Sequence, residues 1–574
     1  EYYVDSLPPV LTVGPGSPVG IEFGYGTKFP AKYQKALYIL DWTFGTIYAI
    51  HMEAKGASYI ATKEEFVSRT PLPLTDVVIG SDGAMYFTVG GRGTQSELFR
   101  VTYVGKEPTD KTDAKDMKFA GPRRIRRSLE VMHGEIEVDD KRLDEIWMNL
   151  ASEDRHLRYA ARVALEHRDL DKWRETFSRE ANPQALITAA VALARRGDKS
   201  DRNALLERLG SLDFAKLTKT QQLDMLRAYA LAFIRLGKPD QATAAAIAKK
   251  LDPYFPSTHN ELNRELSRVL VYLNSPTVIG KTLELMAKKH EPSKEDIAEL
   301  LARNPGYGGT IARMLANQPE IEKIHYAFAL RTMRFGWTLD QRKQYFKWFD
   351  NALGRNGGAS YQGFINNIRK EALANVSEAE KKALAANVIA PPPKPSELPK
   401  PKGPGKDWTL KEILAMNESQ GLAGRDFENG RKMYAASRCV VCHRFDGNGG
   451  ATGPDLTNVA GRFSYADLSE AIVDPNKVIS DQYRAHNILT TAGQRISGRI
   501  LGEANGKLTV LTDPEDATKV VEIAKGKVEE IQASKVSLMP SDLLKPLNGE
   551  EVLDLMAYLL SRGNPNDSMF AKQD

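Results

Sequence analysis

The 574-residue chain contains two cysteines, and both lie in one pentapeptide, Cys439-Val440-Val441-Cys442-His443. Two cysteines cannot build a disulfide framework, and they cannot complete a four-thiolate zinc site. Folding must therefore depend on the burial of apolar side chains, which make up 42% of the residues, as in ordinary globular proteins. A chain of this length exceeds the size of one hydrophobic core, so the sequence predicts several domains.

The distribution of charged and apolar residues argues against two broad classes of protein. The formal net charge of +5 is spread over many acidic and basic side chains, whereas a nucleic-acid-binding protein presents a concentrated basic face. No apolar run is long enough to cross a bilayer, so no transmembrane segment is predicted. The sequence begins at Glu1 without an initiator methionine or a signal sequence, and we therefore expect a processed or truncated product.

Residues 1–110 show short alternating stretches that are typical of β-strands. Tyr38 and Tyr86 occupy corresponding places in two such stretches, and their separation along the chain is in the range of propeller blades. Asp82-Gly83 between apolar residues indicates a hairpin turn. Two blades cannot close a ring. The region is therefore predicted to be a partial β-propeller, completed upstream of Glu1 or by another subunit, or else a small sheet packed on its neighbour.

Residues 140–390 change to the periodicity of helices, with Ile187, Ala190 and Val191 at helical spacing. Gly197 and Gly237 stand at two predicted helix ends. Their spacing matches paired helices with a period of about 40 residues, which indicates an α-solenoid of HEAT type. A generic all-α domain is the alternative interpretation.

Residues 391–407 are rich in proline and lysine. Such a segment does not form a packed core and is predicted to be an extended, semi-rigid linker. It is the clearest domain boundary in the chain.

The spacing of Cys439, Cys442 and His443 indicates covalent attachment of one haem c. Two thiols at this spacing can form thioethers with the two vinyl groups of one porphyrin, and the following histidine can then ligate the iron. The alternatives are a thioredoxin-like redox pair or half a zinc site. A thioredoxin motif requires a strand–helix context, which the neighbouring sequence lacks.

The sequence on either side of this motif predicts two helices that cross closely. One begins near Asp426 and leads towards Cys439, and it contains a small residue, Gly430. The other begins after Asn548, which is a favourable N-cap residue. Residues 421–564 therefore resemble a class I cytochrome c domain, in which such helices pack against each other.

The resemblance to class I cytochromes c implies further roles. Pro454 lies in a Gly-Pro-x-Leu segment, where the proline carbonyl would accept a hydrogen bond from the ligating His443. Met539, before Pro540, corresponds to the distal methionine and would be the sixth ligand of the iron. His486 is the rival ligand, although its place before a strand predicts surface exposure.

Residues 482–531 alternate apolar and polar side chains and predict a small antiparallel β insertion in this domain. This order of segments resembles the PVC-type haem-binding proteins of planctomycete-like bacteria. These proteins join a sorbosone/glucose-dehydrogenase-like propeller, HEAT-like repeats and a C-x-x-C-H domain. The segments Asp41–Gly45 and Thr75–Gly83 resemble parts of the propeller in that family.

The resemblance implies an extracytoplasmic, periplasm-type location and electron transfer between donor and acceptor proteins. The electrons would come from a sugar or alcohol oxidised at the propeller, which would make the chain part of an oxidoreductase. A non-enzymatic scaffold with an electron relay is one alternative, and a haem-based redox or gas sensor is another. Asp41, Asp76 and Arg92 are polar residues near strand ends without an assigned catalytic role.

Overall fold

A computed structural model describes residues 5–14, 16–91, 94–134, 136–288, 319–353, 355, 361–388, 398–446, 448–450, 452–517 and 519–571. Arg92 and the first part of the predicted linker, 391–397, lie outside these ranges. Within the ranges, no helix is both long enough and apolar enough to cross a membrane. The chain contains an N-terminal region of strands, a large central helical region and a C-terminal region that combines both.

Two antiparallel sheets, together called the β unit below, form the N-terminal region. The first sheet has four strands in chain order, Pro18–Phe23, Leu37–Asp41, Thr46–Lys55 and Ser58–Ser68. The second has three, Leu74–Ile79, Met85–Gly91 and Thr94–Val101. The predicted β-structure is confirmed. The two sheets do not close into a ring within the described residues, so the propeller interpretation stays a prediction.

The predicted equivalence of Tyr38 and Tyr86 is wrong. Tyr38 is fully buried between the layers of the β unit. The side chain of Tyr86 lies on the opposite face of its strand, where its hydroxyl donates a hydrogen bond of 2.8 Å to the Asp82 carboxylate. In that strand the buried positions belong to Met85 and Phe87. Successive side chains of a strand point to opposite faces, so a shift of one residue in the alignment of two strands moves a side chain from the core to the solvent face.

The central region is helical, and its first helix begins earlier than predicted, at Ala120 instead of near residue 140. The helices are Ala120–Val131, Asp140–Asn149, Arg155–Glu166, Arg174–Arg179, Pro183–Arg196, Arg202–Ser211, Lys219–Arg235, Gln241–Leu251, Asn260–Tyr272, Val278–Ala287, Ile321–Leu330, Leu339–Leu353, Tyr361–Ala374 and Glu378–Val388. Successive long helices pack side by side around one apolar cluster. The HEAT-type interpretation stays a prediction.

The two glycines at the predicted helix ends are required for different reasons. Gly237 follows the helix Lys219–Arg235 with φ = +93°, a conformation that favours glycine. Gly197 has an extended backbone with φ = −74°. A Cβ atom on Gly197 would lie 2.7 Å from the Leu193 carbonyl oxygen. There, glycine permits a close approach rather than a left-handed turn.

Two helices form the centre of the C-terminal region, the first core helix (Phe427–Ala436) and the last core helix (Gly549–Leu560). Asp426 caps the first through its carboxylate, and Asn548 caps the last through a reciprocal capping box. The helices cross at Gly430, where an added Cβ atom would lie only 2.3 Å from the Asp554 carbonyl oxygen. The predicted close crossing is therefore present.

A five-stranded antiparallel sheet separates the helix Tyr465–Val473 from the last core helix along the chain. In spatial order its strands are Val520–Ala524, Lys507–Leu511, Arg495–Ala504, His486–Thr490 and Val528–Ala533. Asn505 and Gly506 both have positive φ and form a tight hairpin turn. The predicted β insertion is thus present, and its last strand extends slightly beyond the predicted end at 531.

The described part of the predicted linker, 398–407, packs against the last core helix instead of crossing solvent. The backbone N–H groups of Lys402 and Gly403 donate to the buried Glu551 carboxylate at 2.6 and 3.2 Å. Trp408 donates through Nε1 to the Leu547 carbonyl oxygen at 2.9 Å. The helix Leu410–Gln420 follows directly. The packed C-terminal region therefore begins before residue 421.

The β unit contacts the C-terminal region through a short polar interface. The N–H group of Leu72 donates to the Gly461 carbonyl oxygen at 3.1 Å. The Arg462 guanidinium lies over the Trp42 ring, 4.9 Å from its centroid, an arrangement that favours a cation–π interaction. A Cβ atom on Gly461 would lie 2.7 Å from the Thr43 carbonyl oxygen. Only a glycine at 461 permits this approach of the two backbones.

Candidate functional site

Cys439 and Cys442 form the ends of a single helical turn, Cys439–Cys442, that follows the first core helix. Residues three positions apart in a helix lie on the same face, so both thiols are presented together. The turn is preceded by Arg438 with φ = +62°, which redirects the chain out of the first core helix. Cys439 is buried in the apolar cluster of the domain, and Cys442 is half-buried.

Two hydrogen bonds hold His443, one at its imidazole ring and one at its backbone carbonyl group. Its Nδ1 atom lies 2.8 Å from the Pro454 carbonyl oxygen. A carbonyl oxygen only accepts hydrogen bonds, so Nδ1 donates, and Nε2 keeps the lone pair that a metal ion requires. The Tyr434 hydroxyl donates to the His443 carbonyl oxygen at 2.8 Å. Burial lowers the pKa of His443, which favours the neutral form that ligates metals.

The loop that follows the pentapeptide packs closely against it, and glycines occupy the points of contact. A Cβ atom on Gly449 would lie 2.1 Å from the His443 carbonyl oxygen, and one on Gly450 would lie 2.0 Å from the Val441 carbonyl oxygen. A Cβ atom on Gly453 would lie 2.8 Å from Cε1 of the His443 ring. We did not predict a role for Gly449 or Gly450. The high density of glycine after Asp446 was the sequence feature that could have indicated this close packing.

Gly453→Ala is expected to displace the His443 ring and weaken its hydrogen bond to Pro454. The added methyl group has no room beside the imidazole, and such overpacking costs about 1–3 kcal/mol. We expect a lower unfolding midpoint and a larger high-spin fraction in the visible spectrum of the haem-loaded chain. Gly526→Ala, in the same region, is the control because its Cβ atom would contact nothing. Equal spectra for the two variants would contradict the prediction.

The β insertion reaches back to the cysteine pair, which the sequence did not reveal. The Cys442 thiol donates to the Pro514 carbonyl oxygen at 3.3 Å, and the Thr452 hydroxyl donates to the same oxygen. An ion pair between Arg438 and Glu515 holds the adjoining backbone. Pro514 lies far from Cys442 along the chain, and no local pattern indicates the contact.

The environment of the cysteines bears on the two alternatives to haem attachment. Burial raises the pKa of Cys439 to about 12, and burial also raises the pKa of Cys442 above its ordinary value. Neither thiol therefore has the low pKa of a thioredoxin-like redox cysteine. Within the described residues, no group of three His, Cys, Asp or Glu side chains is placed to hold a metal ion. The half-zinc alternative has no partner residues there.

The two candidate distal ligands lie in neighbouring parts of the insertion and the loop after it. Met539 is half-buried and packs against the apolar cluster of the domain. Its N–H group donates to the Ser537 hydroxyl at 3.1 Å, which shapes the turn before Pro540. His486 is also half-buried, and the expectation of an exposed ring is wrong. Its Nδ1 atom is buried and has no hydrogen-bond partner among the described residues.

Asp41 and Asp76, the two described polar residues near strand ends, both accept hydrogen bonds from backbone N–H groups. The carboxylate of the buried Asp41 accepts hydrogen bonds from the N–H groups of Ser17, Thr43 and Phe44 at 2.9–3.3 Å. Asp41 therefore holds the backbone of a turn. Asp76 accepts a hydrogen bond from the adjacent Val77 N–H group.

The residues present fit a covalently attached haem. Two thiols lie on one face of a helical turn, the following histidine keeps the lone pair of Nε2, and three glycines allow the next loop to approach it. Cys439 and Cys442 would hold the porphyrin, His443 would ligate the iron, and Met539 or His486 would complete the ligation.

Comparisons with known proteins agree with this interpretation for one part of the chain. The family model of cytochrome c matches residues 427–504, which include the first core helix, the pentapeptide, Pro454 and His486. Met539 and the last core helix lie beyond the matched range. A comparison with curated proteins finds no match to the chain. The C-terminal region of this protein therefore contains a cytochrome c domain.

Proposed function

We propose that this protein is an extracytoplasmic electron-transfer protein with one haem c, bound through Cys439 and Cys442 and ligated by His443 and Met539. The observation that carries the proposal is the 2.8 Å hydrogen bond from His443 Nδ1 to the Pro454 carbonyl oxygen. It orients the ring beside the two thiols and leaves Nε2 for the iron. The single cysteine pair supports the attachment of one haem, and covalent attachment would take place where cytochromes c mature, outside the cytoplasm.

The side chains around the pentapeptide have separate tasks. When bound, the haem supplies an iron that accepts and releases one electron at a time. Pro454 raises the basicity of His443 through the hydrogen bond to Nδ1. Met539 supplies a thioether, which raises the reduction potential relative to a second histidine. The buried Tyr434 fixes the backbone of His443, so that the imidazole keeps its position in both redox states.

The visible spectrum of the reduced protein, with and without carbon monoxide, tests this proposal. We expect a low-spin spectrum that carbon monoxide leaves unchanged, because His443 and Met539 would both ligate the iron and leave no site for carbon monoxide. Met539→Ala is expected to open the sixth position and to bind carbon monoxide, while His486→Ala is expected to leave the spectrum unchanged. Met148→Ala, an exposed methionine of the helical region, is the matched control. Ready binding of carbon monoxide to the unaltered protein would overturn electron transfer in favour of gas sensing.

We further propose that the β unit and the helical region belong to a PVC-type assembly. The order of sheet, helical and cytochrome regions along the chain supports this proposal. In the enzymatic version, a propeller formed with additional blades would remove two electrons and two protons from a sugar or alcohol, and the electrons would pass one at a time to two ferric haems. Reduction of the ferric protein by a panel of sugars and alcohols would support it. If none of them reduces the protein, the result would favour the scaffold with an electron relay. The open arrangement of the two sheets within the described β unit also supports the scaffold.

A further inference from the structure

A groove in the helical region holds a short segment that precedes the first strand of the β unit. The segment contains Asp5 and Ser6. Three helices of the region, Arg155–Glu166, Pro183–Arg196 and Lys219–Arg235, each contribute an arginine that approaches this segment. These helices pack side by side, and their arginines therefore line one surface. We call this surface the arginine groove.

The aspartate side chain is recognised as a carboxylate. Arg227 donates through Nε to Oδ1 of Asp5 at 2.7 Å, and Arg195 Nη1 lies 3.8 Å from Oδ2. The Asp5 side chain is only 8% exposed. Burial of a carboxylate is costly unless the charge is paired and hydrogen-bonded. The arginines therefore make this position selective for an acidic side chain.

The backbone of the segment is recognised as well. Arg162 donates through Nη2 to the carbonyl oxygen of Asp5 at 3.0 Å. Arg155 donates through Nη2 to the carbonyl oxygen of Ser6 at 2.6 Å. Two successive carbonyl oxygens and one carboxylate are thus bound by arginines. These contacts bind the backbone carbonyl groups of the segment whatever its sequence, and they select one acidic side chain at the position of Asp5.

The groove has space beyond these contacts. A cavity of about 510 Å³ adjoins Asp5, a volume in the range of binding sites for small ligands and short peptides. Its floor contains Asp224, whose pKa is raised by burial and whose carboxylate accepts a weak hydrogen bond from Gln184 at 3.3 Å. Tyr159 and Leu223 add apolar surface to the lining.

We propose that the arginine groove is a peptide-binding site for a short segment with one acidic anchor residue, and that Asp5-Ser6 of the same chain occupies it. The attached segment thereby fastens the β unit to the helical region, alongside the 2.6 Å hydrogen bond from the Ala57 N–H group to Asp154. Because the segment is tethered, its effective concentration in the groove is in the millimolar range. A free peptide therefore competes poorly unless the tethered segment is displaced.

Asp5→Lys in the full haem-loaded chain opens the groove, because a lysine at the anchor is repelled by the arginines. The probe is a fluorescein-labelled peptide with the sequence of residues 5–10, DSLPPV, and binding is measured by fluorescence anisotropy. We expect this peptide to bind the Asp5→Lys chain at least tenfold more tightly than the unaltered chain. A peptide with asparagine in place of the aspartate should bind at least tenfold more weakly, because a charge-assisted hydrogen bond is lost.

Two further variants separate recognition from loss of folding. Arg227→Gln, added to Asp5→Lys, is expected to abolish the preference for the aspartate peptide, whereas Arg179→Gln, an exposed arginine outside the groove, should preserve it. Limited proteolysis before the first strand, at residues 5–14, in Asp5→Lys and Asp5→Glu gives an independent readout. We expect faster cleavage in the lysine variant and a rate close to that of the unaltered chain in the glutamate variant. Equal binding of both peptides, or unchanged cleavage in Asp5→Lys, would overturn the proposal.

Discussion

Replacement of both cysteines, Cys439→Ala and Cys442→Ala, is expected to remove all covalently bound haem from the protein. The chain has no other cysteine, so no other side chain can form a thioether. Each single variant should retain one thioether and therefore a part of the bound haem. Haem staining after denaturing electrophoresis, together with the intact mass, measures the attached fraction directly.

His443→Ala is the control that distinguishes attachment from ligation. This variant keeps both thiols and should carry covalent haem, although its spectrum should lose the low-spin signature of the unaltered protein. Cys439 lies in the apolar cluster of the domain, and alanine, a small apolar residue, is expected to be tolerated there. Covalent haem that persists in the double variant would contradict the assignment of the pentapeptide.

Gly430→Ala is expected to destabilise the cytochrome domain by about 3 kcal/mol, the upper part of the usual range for overpacked cores. The added Cβ atom would lie 2.3 Å from the Asp554 carbonyl oxygen and 2.7 Å from the Tyr558 Cβ atom. Both neighbours belong to the rigid part of the last core helix, so the two core helices must move apart. Denaturant unfolding, followed by the absorbance of the haem, measures the change in the free energy of unfolding.

Gly502→Ala is the matched control for this experiment. Gly502 lies in a strand of the β insertion, and a Cβ atom there would have no neighbour within 4 Å. The substitution should leave the stability unchanged or raise it slightly, because alanine restricts the unfolded chain. If Gly430→Ala and Gly502→Ala unfold at the same denaturant concentration, the close crossing of the two core helices does not determine the stability of the domain.

The sequence predicted the parts of the candidate site whose signals are local. The thiols and His443 lie within one pentapeptide, and Pro454 follows a short distance along the chain. The caps Asp426 and Asn548 hydrogen-bond to backbone groups within the first turn of their helices. Such contacts are defined by spacing, because a helical turn and a cap have nearly invariant geometry. Ligation by Met539 remains a prediction, since it depends on a contact across the domain.

The sequence predicted β-structure in residues 1–110 but did not single out two of its strands, Pro18–Phe23 and Ser58–Ser68. The strand Pro18–Phe23 contains a proline and a glycine, and the strand Ser58–Ser68 is rich in charged residues. Val19, Ile21 and Phe23 alternate in the first strand but are all exposed, and the second strand has no regular apolar alternation. Both exist because a neighbouring strand supplies their hydrogen-bond partners. The predicted place of the Tyr86 ring is wrong because Met85, Phe87 and Val89 occupy the buried face of the strand, which leaves Tyr86 on the opposite face.

By itself, the amino-acid sequence determined the division into a β region, a helical region and a cytochrome c domain, together with the haem-binding pentapeptide. Only the tertiary structure decided where the connecting segments lie. Glu551 binds the supposed linker, Pro514 reaches Cys442, and Asp5 enters the arginine groove. These contacts join residues between 72 and 222 positions apart. Each of these contacts forms because the fold brings its two partners together and removes water from around them. A short stretch of sequence contains no information about either effect.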